Sequence, residues 1–294
     1  MGEKHFHWTR CGGCRVIRIA PLPTPDEIQQ MYSSDDYVAG ASIAGHTGGR
    51  SVISDLIYAD ARRQLQDIAQ HAPQGRLLDV GCAHGELLRA AADLGYEAEG
   101  IEPNATMAAA AQNMGFRVYQ TTVENADLPA GRYNIVNLNH VLEHLVQPVA
   151  VMRKVQELLA PGGIVHIRVP TALNCLYFKV PVHLVRIARV LGISGVWEGS
   201  KPPYHLWEFT PHLLRLLLDE AGFEVLYSHA AEGMPRITRD EQAAVALWHL
   251  RTARDYLRVA ATYPLKALSV MLAGFSSLGD QSEALGRKAM DAGT

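Results

Sequence analysis

Leu77-Leu78-Asp79-Val80-Gly81-Cys82-Ala83-His84-Gly85-Glu86-Leu87-Leu88, followed by Glu102 at the end of the next apolar run, is the stretch on which the fold of this chain turns. Residues 76–80 alternate into a short buried strand, Gly81 and Gly85 let the backbone turn sharply, and residues 86–94 have helical periodicity. A ligand can approach such a backbone closely. An acidic residue about twenty positions beyond the glycines falls where a doubly wound sheet brings its second strand beside the first, and a carboxylate there can accept both ribose hydroxyls. Glu102 holds that position, and a nucleoside-containing cofactor is expected.

Gly81 and Gly85 are spaced G-x-x-x-G, whereas a dinucleotide fingerprint would place glycine at 83 and 86, which are alanine and glutamate. A pyrophosphate fits this turn poorly. The missing glycines and the Asp79 carboxylate suit a cofactor with a cationic amino-acid moiety, which points to S-adenosylmethionine. Two further blocks are Tyr133-Asn134-Ile135-Val136-Asn137-Leu138-Asn139-His140-Val141-Leu142-Glu143-His144-Leu145 and Leu159-Ala160-Pro161-Gly162-Gly163. With these three blocks in this order the chain resembles the class I methyltransferases. The resemblance covers roughly residues 20–230 and implies a Rossmann-like α/β sheet of seven strands, six parallel and one antiparallel. In that family the second block is the fourth strand with its cofactor-facing end, and the third is the turn before the fifth strand.

Composition narrows the function classes. The 294 residues are 48% hydrophobic, enough for a large core, and carry 27 basic against 30 acidic side chains, a formal charge of −3. That balance gives no reason to expect a nucleic-acid substrate. Four cysteines, at 11, 14, 82 and 175, are too few and too unevenly placed for a disulfide framework, and the N-terminal residues lack an apolar signal region, so a reducing cytoplasm is expected. No window reaches roughly eighteen clean apolar residues, which argues against a membrane span.

Along the chain, residues 1–25 read as an irregular head with a Cys11-x-x-Cys14 pair and the stiff run Pro21-Leu22-Pro23-Thr24-Pro25. Residues 26–72 read as a helical lid across the cofactor edge, with Ile53, Leu56, Ile57, Leu65 and Ile68 on one helix face. From 73 to 294 the core alternates: strand 76–80, helix 85–94, strand 96–101, helix 104–114, strands 116–120 and 133–138, helix 148–160, strand 163–169. Thr210 as N-cap with Pro211 at the first position starts a further helix, which Gly222 stops before strand 223–228. Residues 283–288 resemble the closing antiparallel strand of related proteins. Two additions interrupt this core, a substrate-recognition insertion at 171–204 and a helical one at 241–273. The first is apolar with basic punctuation at Lys179, Arg186 and Arg189, and reads as core packing or as a peripheral membrane contact.

The resemblance implies a cofactor site. Backbone groups at Gly81, Cys82, Ala83 and Gly85 face the methionine part, Asp79 orients its ammonium through water or backbone, and Glu102 binds the ribose. Pro103 with Val123 and Glu124 flank the adenine, Asn139 and His140 lie beneath the sulfonium, and Tyr37 covers the methionine carboxylate. For proton transfer the candidates are His205, His140 and His144. His140, Glu143 and His144 resemble the Glu-x-x-Glu-His run that holds a divalent ion in ubiquinone-type O-methyltransferases, but His140 replaces the first glutamate and Mg²⁺ prefers oxygen ligands, so no metal is assigned. His205 resembles the histidine of a His-Leu-x-x-Phe-Thr segment in this group and serves as base or as a brace for the substrate loop. Cys11 and Cys14 resemble half of a zinc ribbon whose other pair is absent, and they read as a metal-free vestige.

The expected activity is therefore S-adenosylmethionine-dependent methylation of a hydroxyl on a small-molecule or lipid- or glycan-linked acceptor. The alternatives are RNA or protein methylation, and a non-catalytic binding protein on the same fold. The acceptor atom and the oligomeric state, a homodimer included, stay open at this stage.

Overall fold

The computed structural model of the protein describes residues 6–24, 26–28, 52–72, 74–171, 205–231 and 281–290. Its elements in chain order are β1 His7–Arg10, β2 Ile17–Ala20, α1 Val52–Ile68, β3 Arg76–Val80, α2 Glu86–Asp93, β4 Glu97–Ile101, α3 Ala105–Asn113, β5 Arg117–Tyr119, β6 Tyr133–Asn139, a 3-10 turn Leu142–His144, α4 Pro148–Leu158, β7 Leu159–Pro170, β8 Trp207–Glu208, α5 Pro211–Glu220, β9 Phe223–Ala231 and β10 Gln281–Lys288.

Seven strands form one sheet in the order β5-β4-β3-β6-β7-β10-β9. The pairs β3–β4, β4–β5, β3–β6 and β6–β7 are parallel, and β10 runs antiparallel to both β7 and β9. Six strands thus point one way and the seventh returns between two of them, the doubly wound sheet expected from the sequence. The chain steps from β3 outward to β5, then comes back to lay β6 on the other side of β3. That reversal opens a crevice at the carboxyl ends of β3 and β6, where ligands bind in open α/β sheets.

Strand residues alternate between two helical layers because successive side chains leave opposite faces. Leu77, Ile135, Ile164 and Leu285 pack under Ala61, Leu65 and Ile68 of α1 and Leu87, Ala90 and Ala91 of α2. Their neighbours Leu78, Val136, Val165 and Ala284 pack on the other face with Val151, Met152 and Val155 of α4 and Leu214, Leu217 and Leu218 of α5. Side-chain caps fix helix starts near the site: Asn104 accepts from Thr106 N and Met107 N, and Thr210 accepts from Leu213 N ahead of Pro211.

Three expectations are corrected. The head at 1–25 is not irregular over its described residues: β1 and β2 form an antiparallel hairpin, and β8 pairs with β2 as a third strand. The described part of α1 lies on the sheet face beside α2 rather than across the cofactor edge. Finally, helix α4 ends at Leu158, and residues 159–163 belong to β7, with Leu159 opposite Tyr133 before the register shifts to pair Ile164 with Ile135. Gly162 supplies the left-handed backbone in that irregularity at φ 72°. Of the insertion 171–204 only Thr171 is described; the rest of it, the insertion 241–273 and the residue Tyr37 lie outside the described residues. Among the described residues no helix is long and apolar enough to cross a membrane.

Candidate functional site

The turn after β3 is held in a shape that few residues adopt. Gly81 sits at φ 74° and Gly85 at φ 92°, and between them Ala83 is forced to φ 45°. A Cβ on Gly81 would stand 2.6 Å from Val141 Cγ2, so this glycine is required by contact as well as by conformation. Glu102, from the end of β4, clamps the turn. Its Oε2 accepts from Ala83 N at 3.0 Å and its Oε1 from Asn104 N at 2.8 Å. Burial raises the Glu102 pKa, and these two backbone donors pull it back down. The same carboxylate therefore fixes the loop from both of its oxygens. Cys82 is buried against Leu88, Ala108 and Ala111, so its side chain belongs to the packing under the turn.

Asp79 is 4% exposed. Asn137 Nδ2 donates to its Oδ1 at 2.7 Å. Burial pushes the Asp79 carboxyl up to about 7, the Asn137 hydrogen bond opposes the shift, and Glu102 and Glu86 add to it. Of the residues expected around an adenine, Pro103 and Glu124 are exposed. Val123 is not a surface group: its side chain is buried in the main core with Val80, Ile101 and Leu128. Any part it plays falls to its backbone.

Beyond β6 the chain makes a second strained turn, with His140 at φ 58°. Its backbone N–H donates to Arg168 O at 2.8 Å. The 3-10 turn that follows places Glu143 inside the protein with 0% exposure of its side chain, and neither carboxylate oxygen has a hydrogen-bond partner. Three imidazoles face Glu143 Oε1: His144 Nε2 at 3.7 Å, His140 Nδ1 at 3.9 Å and His205 Nε2 at 4.0 Å. The His144 and His205 rings meet edge to face, with centroids 5.0 Å apart. Burial raises the Glu143 carboxyl to about 8. Desolvation lowers His205, and desolvation followed by the charge of Arg168, and of His205 and His144 when they are protonated, lowers His140 to about 4, so both rings are neutral near pH 7. Glu143, His144 and His205 also place one donor atom each within 4.8 Å of one another. Two imidazoles and a carboxylate are a donor set for a divalent transition metal rather than for Mg²⁺.

His205 reaches this cluster because the N-terminal hairpin holds it there. Leu206 N donates to Glu143 O at 2.7 Å, and Leu206 O accepts from Ile19 N at 3.0 Å. Trp207 pairs with Arg18 in the β2–β8 ladder, and its indole N–H donates to Leu145 O at 2.6 Å. Cys11 and Cys14 lie exposed at the tip of the same hairpin. Backbone N–H groups of Cys14 and Gly13 lower the Cys11 thiol pKa.

The polar row that starts at Asp79 was not anticipated. Asn137 and His166 are in register with Asp79 on β6 and β7, and Arg168 and Glu283 continue the row under α1. The signal was present as His166-x-Arg168, a period-two polar pattern in a strand whose other face is apolar.

Residues 55–228 match the family model of a methyltransferase domain. The chain belongs to this family. The methyltransferase match runs from α1 into β9 and takes in Asp79, Glu102, His140, Glu143, His144 and His205. Among curated relatives, a ubiquinone biosynthesis O-methyltransferase from Erwinia tasmaniensis is 34% identical over 111 residues, covering 34% of this chain and 45% of that protein. One from Cereibacter sphaeroides is 32% identical over 181 residues, covering 58% of this chain and 69% of that protein. The chain thus spans about half the length of the first of these relatives and more of the second. A SAM-dependent methyltransferase from Archaeoglobus fulgidus superposes with a TM-score of 0.55 at 18% identity over 86% of this chain and 100% of that one, which shows the shared methyltransferase fold.

Proposed function

We propose that this methyltransferase-family protein binds S-adenosylmethionine along the carboxyl ends of β3 and β4 and methylates a hydroxyl of a small-molecule or lipid- or glycan-linked acceptor, such as a quinone precursor, in the cytoplasm. The observation that carries the reading is the meeting of two groups of residues at one crevice, the Gly81–Gly85 turn clamped by Glu102 and the histidine cluster around Glu143. When bound, the cofactor supplies an electrophilic methyl carbon whose bond to sulfur breaks as its bond to the acceptor oxygen forms. Asp79 accepts the ammonium group, Glu102 the ribose hydroxyls, and the backbone of residues 81–85 lies along the methionine part. His205, neutral at pH 7, takes the proton of the acceptor hydroxyl, with His140 and His144 beside it. Thr171 and His205 flank residues 172–204 in sequence, so an acceptor-recognition role for that insertion fits its place in the chain.

The test is calorimetric titration with S-adenosylhomocysteine, followed by transfer of labelled methyl from S-adenosylmethionine to a panel of catechol and phenol acceptors. Micromolar binding and methylation of a phenolic oxygen support the reading. Failure of the folded protein to bind S-adenosylhomocysteine overturns it.

The unpaired Glu143 carboxylate favours a second reading of the same cluster. Glu143, His144 and His205 would hold a divalent transition-metal ion, which would supply Lewis-acid activation of the acceptor hydroxyl. Titration of the chelated protein with Zn²⁺ or Co²⁺ separates the two: metal binding that Glu143→Ala abolishes, together with loss of activity in chelator, selects the metal reading. Full activity in chelator selects the histidine base.

A further inference from the structure

A continuous row of buried polar side chains crosses the sheet beneath α1 and ends at Asp79. Asn137 Nδ2 donates to Asp79 Oδ1 at 2.7 Å, and Asn137 Oδ1 lies 2.7 Å from His166 Nδ1. On its other side His166 Nε2 lies 3.3 Å from Glu283 Oε1, which also accepts from Tyr227 OH at 3.1 Å. Asn137 and His166 are both 0% exposed. An isolated polar row in this position would be costly, since its members lie among the residues that pack α1 onto the sheet.

The directions of these hydrogen bonds are constrained by what each group can offer. An ionised Asp79 only accepts, so Asn137 must turn its NH₂ toward it and its carbonyl toward His166. His166 Nδ1 must then carry a proton, and Nε2 must carry another to face the Glu283 carboxylate. In this arrangement the ring is the imidazolium and Asp79 is the carboxylate. Turning the Asn137 amide over gives the other arrangement: a protonated Asp79 donates to the carbonyl, the NH₂ faces an unprotonated Nδ1, and His166 keeps only its Nε2 proton. One proton leaves His166 and one is gained by Asp79, so both arrangements bind the same number.

We propose that His166 is a positioning residue for the cofactor: as the Asn137 amide turns over, His166 gains one proton in step with the one that Asp79 must shed before accepting the ammonium group, with Glu283 as the fixed counter-charge. This rests on the reading of Asp79 given above. Glu283 suits the task, because although burial opposes its ionisation, the hydrogen bond and charge of His166 and the charge of Arg168 hold it down to about 2. The other groups facing this row are Glu86 from α2 and Glu102 from the end of β4, Asp60 from α1, ion-paired to Arg168 of β7 at 3.0 Å, Asp67 from α1 near Tyr227, and His229 from β9 near Glu283. None of them is within hydrogen-bonding distance of both Asp79 and a proton acceptor in the way Asn137 is. The device lets a buried carboxylate meet a cation without exporting a proton to solvent.

The experiment is titration of the full-length protein with S-adenosylhomocysteine at pH 6 and pH 8, each in two buffers of different ionisation enthalpy, for wild type, His166→Gln, Glu283→Gln and Asp79→Asn. Glutamine at 166 keeps a hydrogen-bonding side chain but holds no proton. For wild type, binding is expected to release close to no proton at pH 6. For His166→Gln, binding at pH 6 is expected to release close to one proton, and affinity to fall about tenfold from pH 8 to pH 6, one decade for one pKa unit of uncompensated protonation. Glu283→Gln shows a smaller change in the same direction and serves if His166→Gln does not fold. Equal proton counts and equal pH dependence in wild type and both relay variants would overturn the relay while leaving Asp79 in place. Unchanged affinity in Asp79→Asn would instead show that Asp79 does not meet the cofactor, and both readings would fall.

Discussion

The two halves of the crevice stand side by side at the carboxyl ends of the strands but are assembled in different ways. The half proposed to hold the cofactor comes from one unbroken β-α-β stretch: the Gly81–Gly85 turn, helix α2 and Glu102 lie within residues 76–104, and the clamp from Glu102 to Ala83 N closes over nineteen positions. The histidine half is gathered from three distant places. Glu143 and His144 follow β6, His205 arrives after the 172–204 insertion, and β2 of the N-terminal hairpin pins the segment through Ile19 and Arg18. A local site is fixed by the geometry of one motif, whereas a gathered site depends on long-range pairing that unrelated parts of the chain must maintain. The difference predicts that the two halves fail separately.

The sharpest break is His205→Ala. Losing a positioned base typically costs 10²- to 10⁴-fold, so kcat is expected to fall about 10³-fold while S-adenosylhomocysteine affinity stays within about twofold. In wild type, kcat should rise with pH through a midpoint below the usual histidine value, because desolvation lowers the His205 pKa and the neutral ring is the active form. A pH–rate profile with its midpoint above 7 would contradict this assignment. Next in size, Glu102→Ala removes two charge-assisted hydrogen bonds to the backbone, each worth roughly 1.5–3 kcal/mol. It should weaken S-adenosylhomocysteine about 100-fold, since part of that sum is regained from water, and calorimetry reads it directly. Retained affinity would show that the turn holds itself without the clamp.

Trp207→Ala tests the brace. It deletes the indole donor to Leu145 O and the contact of the ring with the Arg18 guanidinium, 5.9 Å from its centroid. A stability loss of about 2 kcal/mol is expected by chemical denaturation, below the ~3–5 kcal/mol of a fully buried tryptophan. Activity should fall with cofactor affinity unchanged, and a parallel loss of both would merge the two halves. The smallest effect belongs to Ala83→Gly. A non-glycine residue in the left-handed region costs about 1–2 kcal/mol, and glycine gives back up to ~1 kcal/mol in chain entropy. The variant should be more stable by at most about 1 kcal/mol, a small rise in melting temperature, with cofactor binding intact.

The same contrast explains what was legible beforehand. Strand 76–80 and the Thr210–Pro211 helix start could be read because each has its signal in adjacent residues, and the antiparallel strand near 283–288 because it resembles the closing strand of related proteins. The hairpin at 7–20 could not, since His7, Trp8, Thr9 and Arg10 are mostly exposed and its third strand lies almost two hundred positions away. Periodicity marked a buried face on α1 but not the surface that buries it, so the helix was expected at the site and lies instead on Leu77, Ile135 and Ile164. The histidine candidates were identifiable singly. Their convergence on Glu143 required the fold.

Strand β10 occupies the space between β7 and β9, although it is the last of the seven to leave the ribosome. Until residues 281–288 emerge, the inner edges of β7 and β9 present unpaired N–H and C=O groups, and Ser282 cannot yet reach Phe209 O. Open edges of this kind are prone to pairing with other chains, and strands joined across a long separation fold slowly. During synthesis the nascent chain therefore carries a gap in the middle of its sheet until residues 281–288 emerge to fill it.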